Sequence, residues 1–303
     1  MSPRELARLA TLVENGAPLS DKDAAADGRG LIVGVTGPPG AGKSSLVDAL
    51  IAEIRRRENT VAIIAVDPSS RATGGAILGD RVRMQRHHAD PGVFIRSMAT
   101  RGFLGGLSQA TRDTTLLLDA AGKQIILVET VGVGQGEIEI VRLADCTIVV
   151  LMPGMGDDVQ SLKAGLMEIG DIFVLNKSDR EGADRFEQQL KGILQLVPER
   201  DGWKPPVVRT IATENKGVAE LGRQIELFRK HFEQAHERQA REVAHWKEWI
   251  LQLLETRLME RVAGKYLGEK ELDRIAAAVA ERKTDPYAAV NEILARAGLG
   301  ETR

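Results

Sequence analysis

A glycine-rich segment near the start of the chain has the residue types and spacing that bind a nucleotide phosphate. Residues 37–44 read GPPGAGKS, between an apolar run and a helical pattern. Glycines let successive backbone N–H groups turn towards a phosphate, and the following helix adds the partial positive charge of its N-terminus. In this pattern the lysine bridges the β- and γ-phosphates, and the serine hydroxyl binds Mg²⁺. We expect nucleotide contacts from Gly37, Pro38, Pro39, Gly40, Ala41, Gly42, Lys43, Ser44 and Ser45.

A second segment indicates which base is bound. Residues 176–179 read NKSD and follow the apolar run 172–175. The Asp179 carboxylate can accept both the N1–H and the N2–H₂ of guanine. Adenine offers no such donor pair and would leave a buried charge unpaired. We expect Lys177 to lie along the base, Asn176 to hold the loop, and the backbone N–H of Ala212 to reach the guanine O6.

Two segments between these motifs are candidates for Mg²⁺ and γ-phosphate contacts. Asp67 ends an apolar run and Asp80 follows a glycine-rich stretch, so both could ligate Mg²⁺ or position water, although Asp67 could instead cap a turn. Glu129 opens the sequence ETVGVGQG, in the place where GTPases have Asp-x-x-Gly. Gly132 would then donate its N–H to the γ-phosphate, and Gln135 would orient the attacking water.

A third segment, 154–163, follows the next apolar run. It carries two aspartates, a glutamine and a lysine: Asp157, Asp158, Gln160 and Lys163. These residues form either a polar loop at a strand end or an ordinary helix N-terminus with acidic residues in its first turn.

Such motifs need a sheet to position them, and the apolar runs predict one. Runs without polar alternation are typical of parallel strands covered on both faces, and helical patterns between them are typical of a doubly wound, mostly parallel α/β sheet. The predicted strands are 31–36, 61–66, 93–97, 124–129, 147–151, 172–175 and 206–211.

Helical patterns flank this domain on both sides. We predict an N-terminal helical extension over 1–30, a nucleotide-binding domain over 31–217 and an α-helical region over 218–303. The last region has an apolar stripe that includes Trp246, Trp249 and Leu254. Either the chain's own domain or a second copy must cover this stripe. The length of the helix favours a homodimer.

Composition excludes several classes of protein. The formal charge of −2 argues against nucleic acid or an anionic membrane as a partner held by bulk charge. No apolar run reaches the roughly 18 residues of a membrane helix, so we expect a cytoplasmic protein. The single cysteine, Cys146, can form neither an internal disulfide nor a thiolate metal cluster, and we expect it in the core. His87 and His88 are a weak metal motif, because adjacent side chains point apart.

Taken together, these motifs resemble the MeaB/ArgK family of P-loop GTPases. These are methylmalonyl-CoA mutase-associated chaperones, and the human methylmalonic aciduria type A protein is a relative. The resemblance covers nearly the whole chain and rests on VTGPPGAGKSSL, AVDPSS, GGAILGDRVRM, TRGFLGG, ILVETVGVGQGE, GDDVQSLKAG and NKSD. It departs from the family at Arg71, Gly136, Ile211 and around Met152, which leaves open the rate of hydrolysis and the mutase served.

This resemblance implies a P-loop GTPase domain of the SIMIBI class that binds GTP or GDP with Mg²⁺. Lys43 and Ser44 would contact phosphate and Mg²⁺, while Asp67, Asp80 and Glu129 would belong to the Mg²⁺ and switch network. A third switch with Asp157, Asp158, Gln160 and Lys163 would relay the nucleotide state to a mutase. The family is homodimeric through its C-terminal helices.

The implied function is a chaperone that gates adenosylcobalamin loading and protects or reactivates an acyl-CoA mutase, either methylmalonyl-CoA or isobutyryl-CoA mutase. Three alternatives remain. A nickel-insertion GTPase would have the same fold, but five histidines and one cysteine are few for it. A transport-related kinase conflicts with the guanine preference expected from Asp179. A structural dimer would use GTP only as a conformational latch.

Overall fold

The computed structural model describes residues 1–17, 30–67, 84–99, 109–130, 136–154, 167–199, 202–234 and 238–299. The chain separates into two compact units, Met1–Ala235 and His236–Arg303. The predicted limits of the three regions, 1–30, 31–217 and 218–303, stay a prediction. Among the described residues, no helix is both long and apolar enough to cross a membrane.

The first unit is built on a parallel sheet, which confirms the predicted fold class. Its strands are β1 (Leu31–Thr36), β2 (Val61–Asp67), β3 (Val93–Ala99), β4 (Ile125–Thr130), β5 (Cys146–Leu151), β6 (Ile172–Leu175) and β7 (Val207–Arg209). They lie in the order β3-β2-β4-β1-β5-β6-β7, and every described pair is parallel. The carboxyl ends of all seven strands therefore lie at one edge of the sheet, which is where ligands bind in open α/β folds.

Helices cover both faces of this sheet. They are α1 (Pro3–Glu14), α2 (Lys43–Arg56), α3 (Gln109–Ala120), α4 (Gly136–Leu143), α5 (Ala183–Leu194) and α6 (Val218–Gln234). One core cluster joins the sheet to α2 and α6, a second joins it to α1, α3 and α4, and a third lies under α5. Burial on both faces explains why the strands read as continuous apolar runs. Cys146 is fully buried on β5, as predicted.

The second unit is helical. It contains α7 (Arg238–Tyr266), α8 (Glu269–Ala280) and α9 (Pro286–Arg296). The carboxylate of Asp285 caps α9 by accepting the backbone N–H groups of Tyr287 and Ala288, which the first turn of a helix leaves without intrahelical partners. An ion pair between Arg296 and Glu271 joins α9 to α8.

Candidate nucleotide-binding site

The loop between β1 and α2 has a backbone shape that only glycine tolerates at two positions. Gly37 and Gly42 have φ angles of 137° and 89°. A Cβ on Gly37 would lie 2.2 Å from the carbonyl oxygen of Val150, and one on Gly42 would lie 2.5 Å from Nδ2 of Asn176. The loop therefore combines left-handed backbone with close packing, which explains why glycines stand at these positions.

Lys43 begins α2 and is almost completely buried. Its Nζ donates to the carbonyl oxygens of Gly37 at 2.7 Å and Pro38 at 3.1 Å. The ammonium group thus lies against the loop itself. An anionic phosphate oxygen would be a stronger partner for it than these two neutral carbonyl groups.

Ser44 and Glu129 bring hard oxygen donors together beside this loop. The Ser44 hydroxyl donates to Oε1 of Glu129 at 2.7 Å, and the Glu129 side chain is only 5% exposed. Glu129 pairs in register with Val35 on the neighbouring strand β1. Asp67 ends β2, the strand on the other side of β4. Hydroxyl and carboxylate oxygens are donors that Mg²⁺ prefers, so the described pair of Ser44 and Glu129 fits the cation.

The buried amide of Asn176 connects three segments of the site. It follows β6, and its Nδ2 donates to the carbonyl oxygen of Ala41 in the phosphate loop at 2.8 Å. Its Oδ1 accepts hydrogen bonds from the Thr210 hydroxyl at 3.1 Å and from the N–H of Ala212 at 3.2 Å. The loop after β6, the loop after β7 and the phosphate loop are thereby held together through one side chain.

The other residues of the NKSD segment lie around this connection. Lys177 has a φ of 55°, and its Nζ donates to the carbonyl oxygen of Gly40 at 2.7 Å. The side chain of Asp179 is exposed in the turn that follows. The N–H of Ala212, predicted to reach guanine O6, instead donates to Asn176 in this structure. Contact with a base would require Ala212 to share or exchange that hydrogen bond.

Thr210 is a member of the site that the motifs did not reveal. It is buried, its hydroxyl contacts Asn176, and its carbonyl oxygen accepts the backbone N–H and the hydroxyl of Ser178 at 3.2 and 3.1 Å. The only signal in the sequence was its position two residues before Ala212. Thr210 therefore links the two loops that surround the predicted base position.

Several predicted site residues lie outside the described part of the chain: Asp80, Gly132, Gln135, Asp157, Asp158, Gln160 and Lys163. The described residues of the phosphate loop, Ser45 included, run continuously from β1 into α2. The structure thus brings together the phosphate-loop, Ser44–Glu129 and NKSD parts of the predicted site.

Comparisons with known proteins agree on one family. A family model described as methylmalonyl Co-A mutase-associated GTPase MeaB matches residues 6–266. A Pyrococcus abyssi protein named as a GTPase is 49% identical, over 96% of this chain and 92% of that protein. The mouse mitochondrial methylmalonic aciduria type A homologue is 34% identical, over 75% and 56% of the two chains. The crystal structure of a LAO/AO transport system kinase matches with a TM-score of 0.70 and 29% identity, over 95% and 91%.

Proposed function

The chain belongs to the family of methylmalonyl-CoA mutase-associated GTPases, and from this premise we propose that it is a GTP-hydrolysing chaperone of an adenosylcobalamin-dependent acyl-CoA mutase. Methylmalonyl-CoA mutase is the first candidate partner, and isobutyryl-CoA mutase is the second. The observation that carries the proposal is the buried amide of Asn176, which joins a phosphate loop to a guanine-type NKSD loop within a chain of this family.

The nucleotide would lie across the loops that Asn176 connects. Lys43 would exchange the carbonyl oxygens of Gly37 and Pro38 for β- and γ-phosphate oxygens, which are charged and therefore stronger acceptors. The exposed carboxylate of Asp179 would accept two guanine N–H groups, with the stem of Lys177 along the base. Discrimination against adenine follows from the charge that adenine would leave unpaired.

Ser44, Asp67 and Glu129 would hold Mg²⁺ together with Asp80. Bound there, the ion would neutralise charge that develops on the β- and γ-phosphate oxygens. The Ser44–Glu129 hydrogen bond already holds two of these oxygens 2.7 Å apart. Gly132 would donate its N–H to the γ-phosphate, and Gln135 would orient the attacking water.

The proposed link to the mutase runs through the switch segments. Gly132 and Gln135 belong to one of them, and Asp157, Asp158, Gln160 and Lys163 belong to the third. We expect slow intrinsic hydrolysis that accelerates when the mutase engages these residues, since correct placement of a water-positioning group adds transition-state stabilisation. GTP binding and hydrolysis would then gate the loading of adenosylcobalamin.

We also propose that the protein is a cytoplasmic homodimer assembled through α7. This helix exposes large apolar side chains: Trp246 at 45%, Ile250 at 61% and Leu254 at 53%. Such a stripe is the kind of surface that a second copy covers in a symmetric interface. Ile250→Glu should shift the mass measured by light scattering from dimer to monomer. Glu255→Gln on the same helix is a control that removes a charge without adding one.

The decisive experiment measures GTP and ATP hydrolysis with and without a stoichiometric mutase from the same organism. We expect preferential GTP turnover that rises at least about tenfold with the partner, and no turnover in Lys43→Ala. Retention of mutase activity during prolonged turnover is the second readout. GTP hydrolysis indifferent to every such mutase would refute the assigned partner. A preference for ATP would refute the role of Asp179.

A further inference from the structure

The adjacent residues His87 and His88 lie in different environments. His87 is buried, whereas its neighbour His88 is exposed. Nε2 of His87 lies 3.0 Å from Oδ1 of Asp48 and 3.2 Å from the Asp48 carbonyl oxygen. The Nε–H of Arg86 also lies 3.2 Å from this nitrogen, so whether Nε2 donates or accepts depends on the tautomer of the ring.

Arg86 binds the same carboxylate. Its Nη2 lies 2.6 Å from Oδ2 of Asp48, and its Nε donates to Oδ1 at 3.1 Å. The Asp48 carboxylate is therefore paired with the guanidinium of Arg86 and lies within hydrogen-bond distance of the imidazole of His87. We call Asp48, Arg86 and His87 the helix clamp.

A separate ion pair fastens the same segment farther along α2. Arg55 donates from Nε and Nη2 to the two carboxylate oxygens of Asp90 at 2.8 and 3.0 Å. A Cβ on Gly92 would lie 2.2 Å from Cζ of Arg55, so only glycine leaves room for this pair. Asp48 and Arg55 are about two helical turns apart on α2, so residues 84–92 are held along one flank of the helix.

The helix clamp lies near the residues proposed to act in hydrolysis. Asp48 lies about one turn beyond Ser44, on the helix that Lys43 begins. Met84, which is fully buried in the core cluster that includes residues of α2, lies two residues before Arg86. Asp80 is only six residues before Arg86 in the sequence. The clamp thus joins the helix of the phosphate loop to a described segment that begins four residues after Asp80, a proposed Mg²⁺ ligand.

We propose that Asp48, acting through Arg86 and His87, is a positioning residue for GTP hydrolysis, because it fixes the chain that follows Asp80 against the phosphate-loop helix. This inference rests on the proposed roles of Ser44 and Asp80 in the hydrolytic site. Asp48 touches neither the phosphate loop nor the guanine loops in its described contacts. Its loss should therefore lower the rate of the chemical step and leave GDP affinity unchanged.

The test compares single-turnover GTP hydrolysis, with protein in excess over GTP and without mutase, in Asp48→Asn, His87→Gln and the double variant. We expect Asp48→Asn to lower the rate at least about tenfold, because a hydrogen bond to a charged group contributes at least about that factor when it is expressed as a rate. The double variant should be no slower than Asp48→Asn, since both changes break the same contact. The dissociation constant for a fluorescent GDP should stay within about twofold of the parent in all three.

Two matched controls separate positioning from stability. His88→Gln changes the exposed neighbour, and Asp90→Asn weakens a bidentate ion pair between the same segment and the same helix. Both should retain the parental rate, even where Asp90→Asn lowers the melting temperature.

Parental rates in both Asp48→Asn and His87→Gln would overturn the inference, as would an equal loss in Asp90→Asn or a parallel loss of GDP affinity. If Asp48→Asn does not fold, His87→Gln carries the same comparison. If no mutase changes the hydrolysis rate of the parent protein, the proposed partner is refuted. The comparison of basal rates between parent and variants would still test the role of Asp48, because it is made without mutase.

Discussion

Replacement of Asn176 by alanine should loosen the nucleotide site without removing any group that contacts the nucleotide. The side chain is 2% exposed and makes three hydrogen bonds, to the carbonyl oxygen of Ala41, the hydroxyl of Thr210 and the N–H of Ala212. Alanine leaves all three partners without that bond at the junction of three loops. The phosphate loop and the loop after β7 would then lose their shared contact.

The size of the effect follows from these three groups. A buried polar group left without a partner costs about 1–3 kcal/mol, and the low end applies here because the neighbouring Lys177 and Asp179 side chains are partly open to water. The sum is about 3 kcal/mol. In a unit of this size each kcal/mol lowers the melting temperature by about 2–4 °C, so Asn176→Ala should lose about 6–12 °C. Thr210→Val removes one bond and should lose about 2–4 °C.

Two measurements check this reasoning. Thermal unfolding followed by circular dichroism gives the stability change, and stopped-flow release of a fluorescent GDP gives the dissociation rate. Both Asn176→Ala and Thr210→Val should release GDP faster than the parent. Thr115→Val is the matched control, because that buried hydroxyl donates to the carbonyl oxygen of Thr111 on α3, away from the site. A parental melting temperature in Asn176→Ala, or equal GDP release from Thr210→Val and Thr115→Val, would refute the linking role of this amide.

Two substitutions and one labelling experiment test other parts of the structure. Asp179→Asn should exchange guanine for xanthine preference in competition binding, since an amide accepts N1–H and donates to the xanthine O2; retained guanine preference would contradict this reading. Burial raises the pKa of Asp119 despite a hydrogen bond from the N–H of Gly30, so the folded state loses stability as the pH rises through that raised pKa. Asp119→Asn keeps an acceptor and should remove this loss from urea unfolding measured upwards from about pH 4, the ordinary pKa of an aspartate; an unchanged pH profile would count against it. Burial also raises the pKa of the Cys146 thiol, so a thiol reagent should label it only after unfolding; rapid labelling of the native protein would contradict its placement.

The strands could be predicted from the sequence wherever both faces of the sheet are covered. The bounds of β1 and β6 match their apolar runs, because both faces of these strands are buried and most of their positions are therefore apolar. The edge strand β7 is shorter than the predicted 206–211. Ile211 leaves the sheet there and pairs with Lys216, donating its N–H to the Lys216 carbonyl oxygen at 3.0 Å. An apolar residue in a turn looks the same in sequence as one in a strand, so periodicity could not locate this end.

The sequence predicts the residues that face the ligand better than it predicts the residues that hold them in place. A phosphate or a base has a fixed size and a fixed arrangement of acceptors or donors, so the groups that meet it recur at fixed spacing, and Lys43 or Asp179 can be found from a short motif. Contacts between protein side chains have no such template. Thr210 meets Asn176 across 34 residues, and His87 meets Asp48 across 39. Such pairs depend on how β7 and the segment before β3 pack in three dimensions. The same logic locates where substitutions act. A change at Asp179, which faces the base, should alter which ligand binds, whereas a change at Thr210 should alter how long the nucleotide stays and a change at Asp48 how fast it reacts.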